Sequence, residues 1–243
     1  ELGKRVLVVD MDSQGNQTEL LTSIDDIFQF DGKTILEALK EGNAQPYVLP
    51  ITDKLHLIPA TDLLATFSYW LYHEGKFIYP ESTGAHLKAL RNTLDPLRDD
   101  YDYILIDTPP ALGEQTLNAL SASDFVVIMC ESSKFCYSAI ARFMESIEYI
   151  QGLINPNKPP LNPNLKIAGI LRNLIDNRRS DMRAMIEIVE EQYPNLVFDT
   201  VIDRTAATGR LPLAGFREDN KELKKSIEPY RGFVQELLER IHQ

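Results

Sequence analysis

The chain has 243 residues, 44% of them hydrophobic, a formal net charge of −11 and two cysteines. That is enough apolar material for one large α/β domain or two small ones with a real core. The negative balance argues against a broad nucleic-acid-binding face and leaves only a local basic patch. Cys130 and Cys136 lack zinc spacing and read as reduced, buried residues of a cytosolic protein, and no apolar run reaches the length of a membrane span.

Glu1-Leu2-Gly3 reads as the last turn of a helix with glycine just past its end. Val6-Leu7-Val8-Val9 comes next, an apolar and mostly β-branched run that predicts a strand buried on both faces. It stops at Asp10-Met11-Asp12, and Gly15-Asn16 then breaks the extended chain. Lys33 to Leu39 predicts a short helix with Asp31 as its N-cap. Gly32-Lys33-Thr34 mimics the end of a phosphate-binding loop, but Ile27 stands where that pattern needs glycine, so it is rejected.

Leu55 to Pro59 predicts a strand, and Thr61-Asp62 opens a helix to about Tyr72 with Leu63, Leu64, Phe67 and Leu71 on its inner face. Trp70, Tyr69 and Tyr72 read as packing residues. Residues 73–82 read as a loop, and Leu87, Leu90, Leu94 and Leu97 recur at helical spacing. Asp102 to Asp107 predicts a second strand ending in a carboxylate, stopped by Pro109 and Pro110.

Phe125 to Met129 is the next strand. A helix comes after it with Ile140, Phe143, Ile147 and Ile150 inward, then a surface connection from Asn155 to Pro163. Ile167 to Leu171 is a strand leading into Arg172-Asn173. Ser180 reads as the cap of a helix with Met182, Met185, Ile186 and Val189 inward, and Val197 to Ile202 is the last strand. The C-terminal helices carry Leu223, Ile227, Tyr230, Val234, Leu237, Leu238 and Ile241, with a kink or boundary at Pro229. Strands alternating with helices predict a doubly wound, mainly parallel sheet flanked by helices, in a single domain over residues 1–243.

The chemistry concentrates where apolar strands end in acid. Asp10 and Asp12 lie two apart, so in extended backbone they point the same way. Asp107 ends another buried strand, and open α/β sheets bind ligands outside the carboxyl ends of their strands. The three carboxylates are expected to form one cluster that a cation offsets, and hard oxygen ligands favour magnesium.

The run Val8-Val9-Asp10-Met11-Asp12-Ser13-Gln14-Gly15-Asn16-Gln17-Thr18 resembles the deviant Walker-A′ segment of ParA/MinD ATPases. Asp102-Tyr103-Ile104-Leu105-Ile106-Asp107-Thr108-Pro109-Pro110-Ala111-Leu112-Gly113 resembles the family's Walker B. Thr116 to Leu120, Ala122 to Asp124, Gly169 to Leu171 and Thr200 to Ile202 continue the likeness, which fits the ParA/Soj-like partition branch.

The resemblance implies a P-loop NTPase-like fold and a dimerising ATPase that uses ATP and Mg2+ to position DNA cargo. Asp12 would polarise or position the attacking water, Asp10 would support it or the magnesium shell, and Asp107 would hold magnesium through water. Asn173 matches the adenine-reading position. Asp203, Arg204 and Thr205 match the adenine-flanking loop, although Asp203 replaces the usual proline. Arg178 and Arg179, with Arg210 as a loose substitute for a position near Ala207, match the basic residues that contact DNA without sequence preference. The implied partners are a second copy, a ParB-like adaptor and DNA, with no membrane, and the implied location is the nucleoid-associated cytoplasm.

The family's phosphate loop, of the type Lys-Gly-Gly-Val-Gly-Lys-Thr, should precede Glu1 by about one helix. The sequence is therefore expected to be N-terminally truncated, lacking its first strand, loop and helix, and to bind ATP poorly as it stands. Two alternatives remain: a non-hydrolysing ParA-like scaffold, and a haloacid-dehalogenase-type phosphatase using Asp10 and Asp12. Gln14 departs from the pattern of the latter. Glu236 and Glu239 beside Arg240 argue against the membrane-binding basic helix of the MinD branch.

Overall fold

The computed structural model describes residues 2–81, 84–131, 136–154, 157–175, 180–204 and 221–242. They fall into two compact units, one of residues 1–123 with 150–163, the other of residues 124–149 with 164–243. Each unit carries its own sheet, where the sequence predicts one. The α/β class and the parallel pairing are as expected.

In the first unit, β1 (Val6–Asp10) is central. It pairs in parallel with β3 (Leu55–Ile58) on one side and β4 (Tyr103–Asp107) on the other. β2 (Leu49–Pro50) adds an antiparallel edge to β3 that the sequence does not foretell. A two-residue strand carries no periodic signal, and Pro50 suits an edge because it has no N–H to donate. The helices α1 (Asn16–Thr22), α2 (Ile35–Glu41), α3 (Phe67–His73), α4 (Ala89–Leu94) and α5 (Glu114–Ala122) belong to this unit. Leu7, Val9, Ile35, Leu39, Phe67 and Leu90 share its main core.

Local chemistry corrects several expectations. The cap of α2 is Thr34, whose side chain accepts from Leu36 N–H while Glu37 reaches back to the Thr34 N–H. That capping box outcompetes Asp31, which lies before the helix. The segment after β3 begins as a 3₁₀ helix, Asp62–Thr66, before α3. The tighter winding rotates Leu63 to the surface while Leu64, Phe67 and Leu71 stay buried. Tyr69 and Tyr72 are exposed, and only Trp70 packs as expected. The connection after α6 (Cys136–Gln151) is anchored, because Asn162 Nδ2 donates to the carbonyls of Leu120 and Ser123 at 3.1 and 2.6 Å.

In the second unit the order is β5 (Phe125–Glu131), β6 (Lys166–Ile175), β7 (Val197–Asp203), all parallel. The helices α7 (Ser180–Gln192) and α8 (Lys221–Ile241) complete it. Ser180 is the first residue of α7, and Pro229 lies inside one continuous helix. Phe198 packs edge-on to Phe233, and Tyr230, Leu237 and Ile241 join them against Ile202.

Among the described residues β4 pairs only with β1, and β5 only with β6. Their apolar runs read as central strands, yet Leu105 is 53% and Met129 51% exposed. Cys130 is buried and disulfide-bonded, where composition suggests a reduced thiol.

Candidate active site

The site grows from the ends of parallel strands. Asp10 and Asp107 are register partners across β1 and β4. The backbone stays tied one residue further, where Met11 N–H donates to the Asp107 carbonyl at 2.8 Å. Gly15 then takes a left-handed turn at φ 62°, with its position hard against the Ala60 carbonyl; a Cβ there would lie 3.1 Å from that oxygen. Glycine supplies both the sign of φ and the close approach.

Asp10 is fully buried, and both its oxygens are engaged. Oδ1 accepts from Asp12 N–H at 3.1 Å. Oδ2 accepts from Thr18 N–H at 2.9 Å and from Thr18 Oγ1 at 2.7 Å. The Thr18 hydroxyl in turn accepts from Ala60 N–H at 2.9 Å. Burial pushes the Asp10 carboxyl up to about 6 despite these donors, and the Asp107 charge adds to the rise.

Asp12 is partly exposed. Its Oδ1 accepts from Gln14 N–H at 2.9 Å, and its carbonyl accepts from Gly15 N–H at 3.0 Å. Asp107 is open to solvent, yet the protein around it and then the Asp12 charge raise its carboxyl above the ordinary range. Among the described residues no three His, Cys, Asp or Glu side chains come together as a metal-holding group. The expected three-carboxylate cluster is thus corrected: Asp10 turns inward onto Thr18. Asp107 remains as a hard carboxylate open to solvent, which suits a magnesium ion completed by water and phosphate oxygens.

Thr61 is the residue after Ala60 in the chain. It is buried, and its Oγ1 has no hydrogen-bond partner. The sequence alone assigns no part to Thr18 or Thr61. Thr18 lies within the acidic motif, three residues past the helix-starting glycine, and that position is the one signal pointing to it.

Asn173, on β6 in the second unit, is 8% exposed and its Oδ1 accepts from the Tyr230 hydroxyl at 3.2 Å. Asp203 ends β7 and is exposed; Arg204 is exposed and its N–H donates to the Ile175 carbonyl. Thr205, Arg178, Arg179 and Arg210 lie outside the described residues. Arg172, the first arginine of the basic region, pairs with Glu190 and donates to the Phe198 and Asp199 carbonyls, so its charge serves the fold.

The α/β fold, with parallel strands ending in carboxylates, is that of a P-loop NTPase-like protein, as its match to solved structures of that class shows. A family model described as an AAA domain, AAA_31, matches residues 1–167. The chromosome partitioning protein ParA of Myxococcus xanthus is 31% identical over 98% of this chain and 78% of its own length. The sporulation initiation inhibitor Soj of Bacillus subtilis is 31% identical over 88% of this chain and 78% of its own. Cobyrinic acid a,c-diamide synthase from Mycobacterium smegmatis, solved with a bound ATP analog and magnesium, superposes with a TM-score of 0.73 at 27% identity, covering 97% of this chain and 82% of that one. The chain belongs to the ParA/MinD family of deviant Walker-A P-loop ATPases. No helix among the described residues is long and apolar enough to cross a membrane.

Proposed function

We propose that this chain carries the water-activating residues of a partition ATPase, with Asp12 as the residue that acts on water. One observation carries the reading. Of the two carboxylates in the Asp-x-Asp motif, Asp10 is locked by three protein donors and Asp12 is not. Asp12 orients or polarises the attacking water, and Asp10 fixes the Asp12 backbone through its amide. Asp107 would hold magnesium through water. Magnesium, when bound, offsets the charge on the transferring phosphoryl group.

In the same reading Asn173 meets adenine, flanked by Asp203, Arg204 and Thr205. Arg178, Arg179 and Arg210 contact DNA phosphates. The working form is a nucleotide-dependent homodimer stimulated by a ParB-like adaptor, in the cytoplasm on the nucleoid. The ParA and Soj relatives support the partition assignment.

The same geometry disfavours the phosphatase alternative. A nucleophilic Asp10 would need an accessible oxygen, and it is 0% exposed with both oxygens accepting. The test is magnesium-dependent ATP hydrolysis by the full-length protein. Asp12→Ala is expected to lower kcat about 100-fold with ATP affinity retained; hydrolysis at the wild-type rate would remove Asp12 from the mechanism.

A further inference from the structure

The site contains a hydrogen-bonded series whose Thr18 and Ala60 members no catalytic assignment uses. It starts at Ala60, just past β3, whose N–H donates to Thr18 Oγ1 at 2.9 Å. Thr18 Oγ1 donates to Asp10 Oδ2 at 2.7 Å. Asp10 Oδ1 accepts from Asp12 N–H at 3.1 Å, and Asp12 Oδ1 accepts from Gln14 N–H at 2.9 Å. Three elements therefore converge on one hydroxyl: the end of β3, the first turn of α1 and the end of β1.

Resting on the reading that Asp12 acts on water, we propose that Thr18 is a positioning residue for Asp12, acting through Asp10. Gly15 precedes α1 and has no side chain to cap it. Asp10 takes that part from the neighbouring strand, accepting the Thr18 N–H of the first turn at 2.9 Å. A carboxylate buried at 0% exposure stays in place only while its oxygens are satisfied. Each of its donors therefore sets its angle.

The hydroxyl is the donor with leverage. It alone among the Asp10 donors also receives a bond from the segment that leaves β3, so it fixes the carboxylate relative to the end of the sheet and not merely to its own helix. Without it, Asp10 pivots on two backbone amides and the Asp12 backbone loses its fixed acceptor. Misplacing a reacting group by about 1 Å costs on the order of 100-fold in rate. Thr18 itself does not touch the reacting atoms.

The test compares Thr18→Val, which keeps shape and removes the hydroxyl, with Thr18→Ser, which restores it, in the full-length protein beside Asp12→Ala. Thr18→Val is expected to lower kcat about tenfold or more while ATP affinity stays within about twofold. Amide hydrogen exchange without nucleotide is expected to speed up at Ala60 and Asp12 in Thr18→Val and to leave α2 unchanged. Thr18→Ser is expected to return both kcat and exchange towards wild type. If Thr18→Val does not fold, Thr18→Ala, which keeps the Thr18 backbone donor, gives the same two readouts.

Wild-type kcat, or wild-type exchange at Asp12, in the variant lacking the hydroxyl overturns the proposal. So does a parallel fall of kcat, ATP affinity and melting temperature that Thr18→Ser fails to reverse, which marks a purely structural role. Hydrolysis unaffected in Asp12→Ala would instead defeat the water-activation reading and, with it, this role for Thr18. A live Asp12 dependence with a silent Thr18 defeats only the present proposal.

Discussion

Asp10 and Asp107 sit at the same level of the sheet as register partners on adjacent parallel strands, and only one of them meets water. The path of the chain beyond each strand makes the difference. After β1 the chain turns back through Gly15 into α1, which places Thr18 over Asp10. After β4 the chain runs on through Pro109 and Pro110, and among the described residues no side chain donates to Asp107. Two like charges at one level repel, and burying one against hydroxyl and amide donors while leaving the other hydrated limits that cost.

The buried carboxylate makes stability depend on pH in a defined direction. The folded Asp10 carboxyl is raised to about 6 from 3.8, so between those values the folded state holds the proton that the unfolded state has released. Stability from this group is fully present below about pH 4 and is lost as pH rises through about 6. The swing is on the order of 3 kcal/mol. Urea unfolding of wild type and Asp10→Asn across pH 4 to 7.5 checks it. The gap between the two is expected to move against wild type as pH rises, and parallel curves would show that Asp10 does not carry the effect.

Asp107 offers a different test because it is exposed and its proposed role is a polar contact. Asp107→Asn keeps size and hydrogen bonding but removes the charge. The change is expected to weaken the magnesium dependence of nucleotide binding about tenfold or more and to leave folding stability within about 0.5 kcal/mol. Calorimetric titration of ATP with and without magnesium measures the first, and thermal melting the second. An unchanged magnesium dependence would take Asp107 out of the metal shell.

Much of this arrangement is legible in the residues. Apolar runs ending in acid locate β1 and β4, and helical spacing places Leu87, Leu90, Leu94 and Leu97 in the core. Periodicity does not encode the rest of the geometry. Asp10 and Asp12 look equivalent in a two-residue alternation, and only the return of α1 distinguishes them. Leu63 fits a helical stripe until the chain winds as 3₁₀. Leu105 reads as the residue of a central strand, because its neighbours are all apolar, yet it faces solvent. Arg172 counts as one basic residue among several until Glu190 and two carbonyls are seen to hold it.

The remaining arginines of that region carry the DNA prediction. Arg172 is committed to the fold, and the proposed function gives the phosphate contacts to Arg178 and Arg179. In the complete protein Arg178→Ala with Arg179→Ala is expected to weaken binding uniformly across DNA sequences. The slope of log K against log salt should fall by about 2, close to one per lost phosphate contact. Binding measured at several salt concentrations decides it, since an unchanged slope would place the DNA surface elsewhere.

The second unit makes its own prediction through Glu236 on α8. Its carboxylate accepts from Asp199 N–H, Thr200 N–H and Thr200 Oγ1, and pairs with Arg240. Arg240 also donates to the Ala168, Leu196 and Val197 carbonyls and lies 4.1 Å from the centre of the Phe198 ring. Burial alone would raise the Glu236 carboxyl, but the Thr200, Asp199 and Arg240 donors outweigh it and hold the group below 4.5. Its stabilisation is therefore present above about pH 4.5 and lost as pH falls further, opposite in sign to Asp10. Glu236→Ala leaves two backbone N–H groups and the Thr200 hydroxyl without this acceptor and removes the carboxylate partner of Arg240, at a cost of about 2–4 kcal/mol. Urea unfolding at pH 7 and pH 3.5 separates the effects: the loss is expected to be large at the higher pH and to shrink at the lower. A cost independent of pH would assign it to packing along α8.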